Sequence, residues 1–322
     1  MIQKELFISK IIKIKEKLNP YILKTPLIAN LNNISNQLNT EIFLKLEFLQ
    51  HGGTFKTRGA LNNIFNLSNE EKKSGVIAVS AGNHAIAVAY ASYITNVNSK
   101  VIMYDSSNIF RVEKTKSFKS KIIITNPKES FKKAEKISKE EGRILIHPFD
   151  SIKTIQGSAT LGYEICEEIN DIDNIIISVG GGGLISGVGS IIRQKFPNCR
   201  IIGVEPEGAR GLTDSLEKGF PIQSVKINTI ADSLSPPLHL PQSFSICQNV
   251  IDQMVLVSDI QMQKAMKFMS VNCKLILEPA GVATIAALQG PLKNKLKNQT
   301  TVVILCGANI DMNSWNNLTN IH

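Results

Sequence analysis

Apolar positions along this chain follow two rhythms. Short continuous runs at 76–80, 101–104, 122–125, 144–147, 175–179, 200–204 and 301–306 read as strands buried on both faces. Between them, at 85–90, 111–118, 131–140, 160–169 and 184–196, lie segments of helical periodicity. Strands alternating with helices at this spacing predict an α/β fold, with parallel-rich sheets covered by helices. Near the start, Leu6, Ile8, Ile11, Ile12, Ile14 and Leu18 form one face of a helix that Asn19-Pro20 ends. Ile42-Phe43-Leu44-Lys45-Leu46-Glu47 reads as a strand leading into a glycine-rich loop. Asp232-Ser233-Leu234-Ser235-Pro236-Pro237 reads as a loop, and Glu278-Pro279-Ala280-Gly281 opens a further apolar helix. Residues 70–148 are expected to form a small mobile domain, with 1–69 and 149–322 forming a large one.

Composition narrows the class. The chain has 322 residues, 43% of them hydrophobic and 20% charged, which suits a soluble two-lobed protein. No apolar run approaches the roughly 20 residues of a bilayer span, so no membrane partner is expected. Met1-Ile2-Gln3-Lys4-Glu5 mixes charge with apolar residues, unlike a signal peptide, and a cytoplasmic location is the default expectation. The net charge of +9 raises a nucleic-acid reading. However, the lysines are spread along the chain with acids interleaved, as in Lys132-Lys133-Ala134-Glu135-Lys136, so no nucleic-acid partner is expected. Five cysteines without a close pair suggest neither a disulfide framework nor a zinc site.

Four junctions carry candidate chemistry. In Thr54-Phe55-Lys56-Thr57-Arg58-Gly59-Ala60 a lysine stands between paired glycines and an apolar-periodic run. A lysine becomes a useful nucleophile where burial or a nearby cation disfavours its ammonium form, and Arg58 is such a neighbour. Taken alone, Lys56 reads as a solvated residue at a helix start. Gly180-Gly181-Gly182-Gly183, between a buried strand and a helix, is the strongest single signal: bare N–H groups and a helix N-terminus suit a phosphate. The Gly-x-Gly-x-x-Gly spacing of a dinucleotide site fails at Ile185 and Ser186, and no Walker lysine follows. A phosphomonoester such as that of pyridoxal phosphate remains. Ser80-Ala81-Gly82-Asn83-His84 can hold a carboxylate at a helix start, against the simpler reading of N-capping by Ser80 or Asn83 and a structural His84. Cys306 ends the last strand, at the edge where open α/β sheets bind ligands.

In this order the segments resemble the fold-type II pyridoxal-phosphate enzymes, a two-lobed tryptophan synthase β-like fold, and within them the serine/threonine dehydratase (threonine ammonia-lyase) and serine racemase group. The resemblance covers nearly the whole chain. It implies that Lys56 is the Schiff-base lysine with Phe55 beside it, and that Asn83 meets the cofactor's ring hydroxyl. It also implies that Gly180, Gly181, Gly182, Gly183 and Leu184 cradle the phosphate, and that Cys306 faces the pyridine nitrogen. Ser80, Ala81, Asn83 and His84 then bind the substrate. His147-Pro148-Phe149-Asp150 and Glu278-Pro279-Ala280-Gly281 are similar to further family segments. Sulfur-transferring relatives typically carry Lys-Asp-Arg and Gly-Asn-Thr-Gly instead, which this chain lacks. A homodimer is expected by the same resemblance.

The implied reaction is β-elimination from L-threonine or L-serine, giving a 2-oxo acid and ammonia, with the bound cofactor phosphate as proton donor to the leaving hydroxyl. Serine racemase, 3-hydroxyaspartate dehydratase and, outside the family, an NAD-dependent dehydrogenase are the alternatives. Racemases of the group carry a serine before Gly-Asn-His as a second acid–base; here Ala81 has no transferable proton. Their divalent-cation site uses a Glu, present as Glu205, and an Asp six residues later, where this chain has Gly211; no metal is expected. Ala231-Asp232-Ser233 replaces the common Ala-Asp-Gly, and Pro236-Pro237 replaces small polar residues, changes aimed at substrate side-chain recognition. The chain leaves no room for the regulatory domain of biosynthetic threonine dehydratases, so feedback through one is not expected.

Overall fold

The computed structural model describes residues 4–320; Met1, Ile2 and Gln3 of the N-terminal reading, and the final two residues, lie outside it. Ten strands of the described residues form two sheets. In chain order they are β1 (Leu27–Ala29), β2 (Glu41–Lys45), β3 (Val76–Val79), β4 (Ser99–Tyr104) and β5 (Lys121–Thr125), then β6 (Ile144–Leu145), β7 (Asn174–Ser178), β8 (Arg200–Pro206), β9 (Gln253–Val257) and β10 (Thr300–Ile304). The larger sheet runs β1-β2-β10-β7-β8-β9, and the smaller runs β5-β4-β3-β6. Every pairing is parallel except β1 with β2.

Both faces of the large sheet are covered. One face packs under helices Ile8–Leu18, Ile152–Glu168 and Gly183–Lys195 through Ile11, Ile155, Ile185 and Ile191. The other packs under Asp259–Cys273 and Pro279–Gln289 through Met262, Met266, Val282 and Ile285. This double burial explains the uninterrupted apolar runs of β7 and β10. Against the small sheet lies Asn83–Ile94, nine of whose twelve residues are buried, so its sequence is apolar all round.

Four elements depart from the sequence pattern. The helix expected from residue 160 begins at Ile152. Its first turns carry Gln156, Gly157 and Ser158, which blur the apolar period but serve packing. A Cβ on Gly157 would lie 2.5 Å from the carbonyl oxygen of Arg58 and from the Cα of Gly59, so helix Lys56–Phe65 crosses it in backbone contact. The strand expected over 144–147 stops after Leu145. His147 then turns the chain, its Nδ1 accepting from the N–H groups of Phe149 (3.3 Å) and Asp150 (2.8 Å). Finally, β1 and β9 were not legible: both are short edge strands with half-exposed residues.

Candidate active site

The carboxyl ends of both parallel sheets open on one cleft. β2 leads through two short turns to Lys56, β7 into the glycine loop and β10 to Cys306. β3 leads into the 80–84 loop from the facing sheet. One pocket draws together Phe55, Lys56, Asn83, Gly180, Gly181, Gly182, Gly183, Leu184 and Cys306. An adjoining cavity of about 340 Å³ shares Lys56 and Asn83 and adds Ser80, Ala81 and His84.

Lys56 is the first residue of its helix and is partly buried. Its Nζ donates to the carbonyl of Pro148 at 3.2 Å and stands 5.0 Å from the centre of the Phe55 ring. Burial lowers its pKa to about 8, although Cys306 and Glu278 pull the other way. The sequence reading gave this task to Arg58, and the structure corrects it. Arg58 is buried and committed elsewhere, forking onto Glu47 (2.5 and 3.1 Å) and onto Glu164 (2.7 and 2.9 Å). Lys45 joins the same cluster, 3.2 Å from Glu164 and 3.1 Å from Glu168. Desolvation, not a neighbouring cation, is what loosens the Lys56 proton.

The glycine loop cannot carry side chains. A Cβ on Gly181 would collide with the Phe149 ring, one on Gly183 would lie 3.0 Å from the Phe149 Cα, and Gly182 has φ +87°. Helix Gly183–Lys195 starts there, so its positive end and free N–H groups face the pocket.

In the facing loop neither Ser80 nor Asn83 caps the helix: the N-cap is Gly82 and has no side chain to offer. Ser80 Oγ instead accepts from the Gly82 N–H at 3.1 Å, shaping the turn. Asn83 is held by its own ends. Its Nδ2 donates to Glu278 Oε1 at 2.5 Å, and its Oδ1 accepts from Asn309 Nδ2 at 2.7 Å. His84 is buried, with Nε2 2.8 Å from the Ile146 carbonyl and Nδ1 without a partner; burial, with Lys56 nearby, pulls its pKa down to about 3.

Arg111, which no motif flagged, closes this network. From helix Ile109–Ser117 it donates to the Asn309 carbonyl (2.9 Å), to Glu278 (3.2 Å) and to Asp232. Lys114, one turn on, reaches Asn309 Oδ1 at 2.6 Å. The Arg111 signal was hidden because one basic residue among Lys114 and Lys116 looks like a solvated helix face. Burial raises the pKa of Glu278, with Arg111 opposing. Cys306 Sγ donates to the Ala280 carbonyl at 3.4 Å, and burial beside Glu278 pushes its thiol up to about 12, so it is neutral.

Glu205 is taken up within its own lobe. It accepts from the N–H groups of Leu212 (2.7 Å) and Thr213 (2.8 Å) and from the Thr213 hydroxyl (2.6 Å). A side chain at Gly211 would lie 2.6 Å from Val225 and 2.7 Å from His239, which leaves a carboxylate no room without rearrangement. Among the described residues no helix is long and apolar enough to cross a membrane.

The chain is similar to known proteins over nearly its whole length. Phenylserine dehydratase of Ralstonia pickettii is 37% identical over 305 residues, covering 94% of this chain and 93% of the relative. Catabolic L-threonine dehydratase of Staphylococcus aureus is 33% identical over 302 residues, covering 92% and 87%. Among solved structures, maize serine racemase superimposes with a TM-score of 0.89 at 31% identity, covering 95% of this chain and 94% of the other. Residues 18–307 match the pyridoxal-phosphate dependent enzyme family, and the chain belongs to that family.

Proposed function

We propose that this protein is a dehydratase that removes the β-hydroxyl and then the amine from a small L-hydroxy amino acid, with L-threonine and L-serine as the first substrates to consider. The two dehydratase relatives support the reaction class. The residues fit pyridoxal phosphate: the glycine loop is bare where any Cβ would fill it, an amine stands within the pocket, and a buried neutral thiol closes it. When bound, the cofactor supplies an electron sink for the carbon from which a proton is taken.

The chain supplies everything around it. Gly180 to Gly183 would hold the phosphate through backbone N–H groups. The Ser80–Asn83 loop would bind the substrate carboxylate at the start of helix Asn83–Ile94. Asn83, fixed between Glu278 and Asn309, would hold the ring hydroxyl, and Cys306 the ring nitrogen. A thiol that stays neutral leaves that nitrogen without a full positive charge. That limits charge build-up in the ring and favours elimination over transamination.

The observation that carries the reading is Lys56. It would anchor the cofactor covalently and, when free, is a partly buried amine whose pKa burial lowers to about 8, so that it can take the α-proton. Arg111 is tied to carboxylates, and burial pulls the pKa of His84 down to about 3, which leaves it too weak a base to compete. Ala81 supplies no second acid–base, which supports elimination over racemisation. After the hydroxyl leaves as water, the released enamine tautomerises and hydrolyses to a 2-oxo acid and ammonium. The dehydrogenase alternative finds no support in the glycine spacing or the family.

The test is a panel of L-threonine, L-serine and related hydroxy amino acids with the cofactor-loaded protein. The expected result is 2-oxo acid and ammonia in equal amounts. Interconversion of serine enantiomers without ammonia would make the protein a racemase and overturn the reading.

A further inference from the structure

The cavity beside Lys56 has to hold the substrate together with part of the cofactor, since Asn83, Phe149 and Gly181 line it too. Its volume is about 340 Å³, whereas an apolar cavity of ~150 Å³ takes a benzene-sized molecule. Away from the lysine, apolar walls from both sides of the cleft alternate with polar side chains such as Ser107, Asn108, Thr229 and Ser235. Phe131, near the start of helix Ser130–Glu141, and Tyr104, at the end of β4, line it from one side. Ile227, Pro236 and Pro237 line it from the other. Phe131 is 38% exposed and Ile227 47% exposed, large apolar surface that the fold itself leaves uncovered.

The charges lining the cavity sharpen the point. Arg111 is consumed by Asp232, Glu278 and the Asn309 carbonyl. His84 is buried with its ring nitrogen on the Ile146 carbonyl, and Lys56 is reserved for the cofactor. Asp232, whose side chain is 60% exposed, faces the same space with a negative charge. A substrate with a second carboxylate at its β-carbon would meet no free cation there, because Arg111 is already shared between Asp232 and Glu278.

We infer that the Phe131, Ile227 and Pro236-Pro237 walls form a side-chain subsite for β-hydroxy amino acids with a bulky, uncharged, aryl-sized β-substituent. The inference rests on the dehydratase reading for the reaction but concerns only who enters the site. Phe131 and Ile227 cover the ring, the rigid proline pair fixes the opposite wall, and 3-hydroxyaspartate is excluded by charge. Threonine and serine are admitted but carry nothing to cover the Phe131 and Ile227 walls.

The test uses the cofactor-loaded protein with L-threo-3-phenylserine, L-threonine, L-serine and 3-hydroxyaspartate. Because one methylene in an apolar pocket is worth ~10-fold or more in discrimination, kcat/KM for 3-phenylserine should exceed that for serine at least ~10-fold, with 3-hydroxyaspartate last. Phe131→Ala should lower kcat/KM for 3-phenylserine ~10-fold and leave serine within ~3-fold. A titration of the cofactor's absorbance with each amino acid reads binding without turnover. Tighter binding of 3-phenylserine than of serine, with no 2-oxo acid from either, would sink the dehydratase reading and leave the subsite standing. Serine binding and turning over as well as 3-phenylserine, or Phe131→Ala lowering both alike, would overturn the subsite.

Discussion

Two arginines flank the Lys56 pocket, each paired with two carboxylates, and their surroundings send Glu164 of one pair and Glu278 of the other in opposite directions. Behind the lysine, Arg58 is fully buried and forks onto Glu47 and Glu164, with Lys45 completing the cluster. There burial pushes Glu164 up, but Arg58 and Lys45 outweigh it and its pKa ends below the ordinary value. In front, Arg111 reaches across the cleft to Glu278 and to an exposed Asp232. There burial wins, and Glu278 ends above its ordinary value. Two cations and saturated hydrogen bonds make the first cluster a fixed joint between β2 and the helices that carry Lys56 and Glu164. One cation shared across the cleft, with a partner in water, makes the second a looser clasp.

The largest expected effect comes from breaking the fixed joint. Arg58→Met leaves buried Glu47 without a cation and Glu164 with only Lys45, and should cost about 3–5 kcal/mol in denaturant unfolding. A loss below about 1 kcal/mol would show that the joint is not the rigid element described. Arg111→Met should cost less, about 1–3 kcal/mol, because one of its two carboxylate partners, Asp232, is mostly in water. It should nonetheless lower kcat about 10-fold or more by releasing Asn83; unchanged kcat would remove Arg111 from the positioning of Asn83.

The opposite shifts also set opposite pH responses. A depressed carboxylate lends stability above its unfolded pKa that is lost as pH falls through the folded value; a raised one lends stability at low pH that is lost as pH rises through the folded value. The stability gap between the protein and Glu164→Gln should therefore shrink on acidification. The gap to Glu278→Gln should shrink as pH rises. Parallel trends in the two series would break the comparison. The smallest effect is expected of Asp232→Asn, within about 1 kcal/mol because that carboxylate is mostly in water. Stability to denaturant checks it, and a larger loss would mean the clasp is as fixed as the joint.

Much of this site was legible because it is built from backbone. Gly180 to Gly183, the Ser80–His84 turn and the Cys306 end each follow a buried strand, so the apolar pattern alone put them on sheet edges. Lys56 was legible through its neighbours in sequence, but the cause of its lowered pKa was not. Arg58 is two residues away in the chain, yet the helix turns it to the opposite side, into the Glu47–Glu164 cluster. Burial, which does the work, is a property of the assembled lobes. The same holds for Arg111 and Phe131, charged-helix residues with no local mark of distinction until the small sheet meets the large one. Helix 152–159 was missed for a related reason: Gly157 and Gln156 are there for a neighbouring backbone and a buried hydrogen bond, not for an apolar stripe.

The central claim is that Lys56 holds the cofactor and serves as the base. It is tested most directly by the absorbance of the cofactor-loaded protein beside that of Lys56→Ala. The account expects a band near ~410 nm in the parent, and loss of both that band and all 2-oxo acid formation in the variant. A variant that keeps either the band or turnover would contradict it.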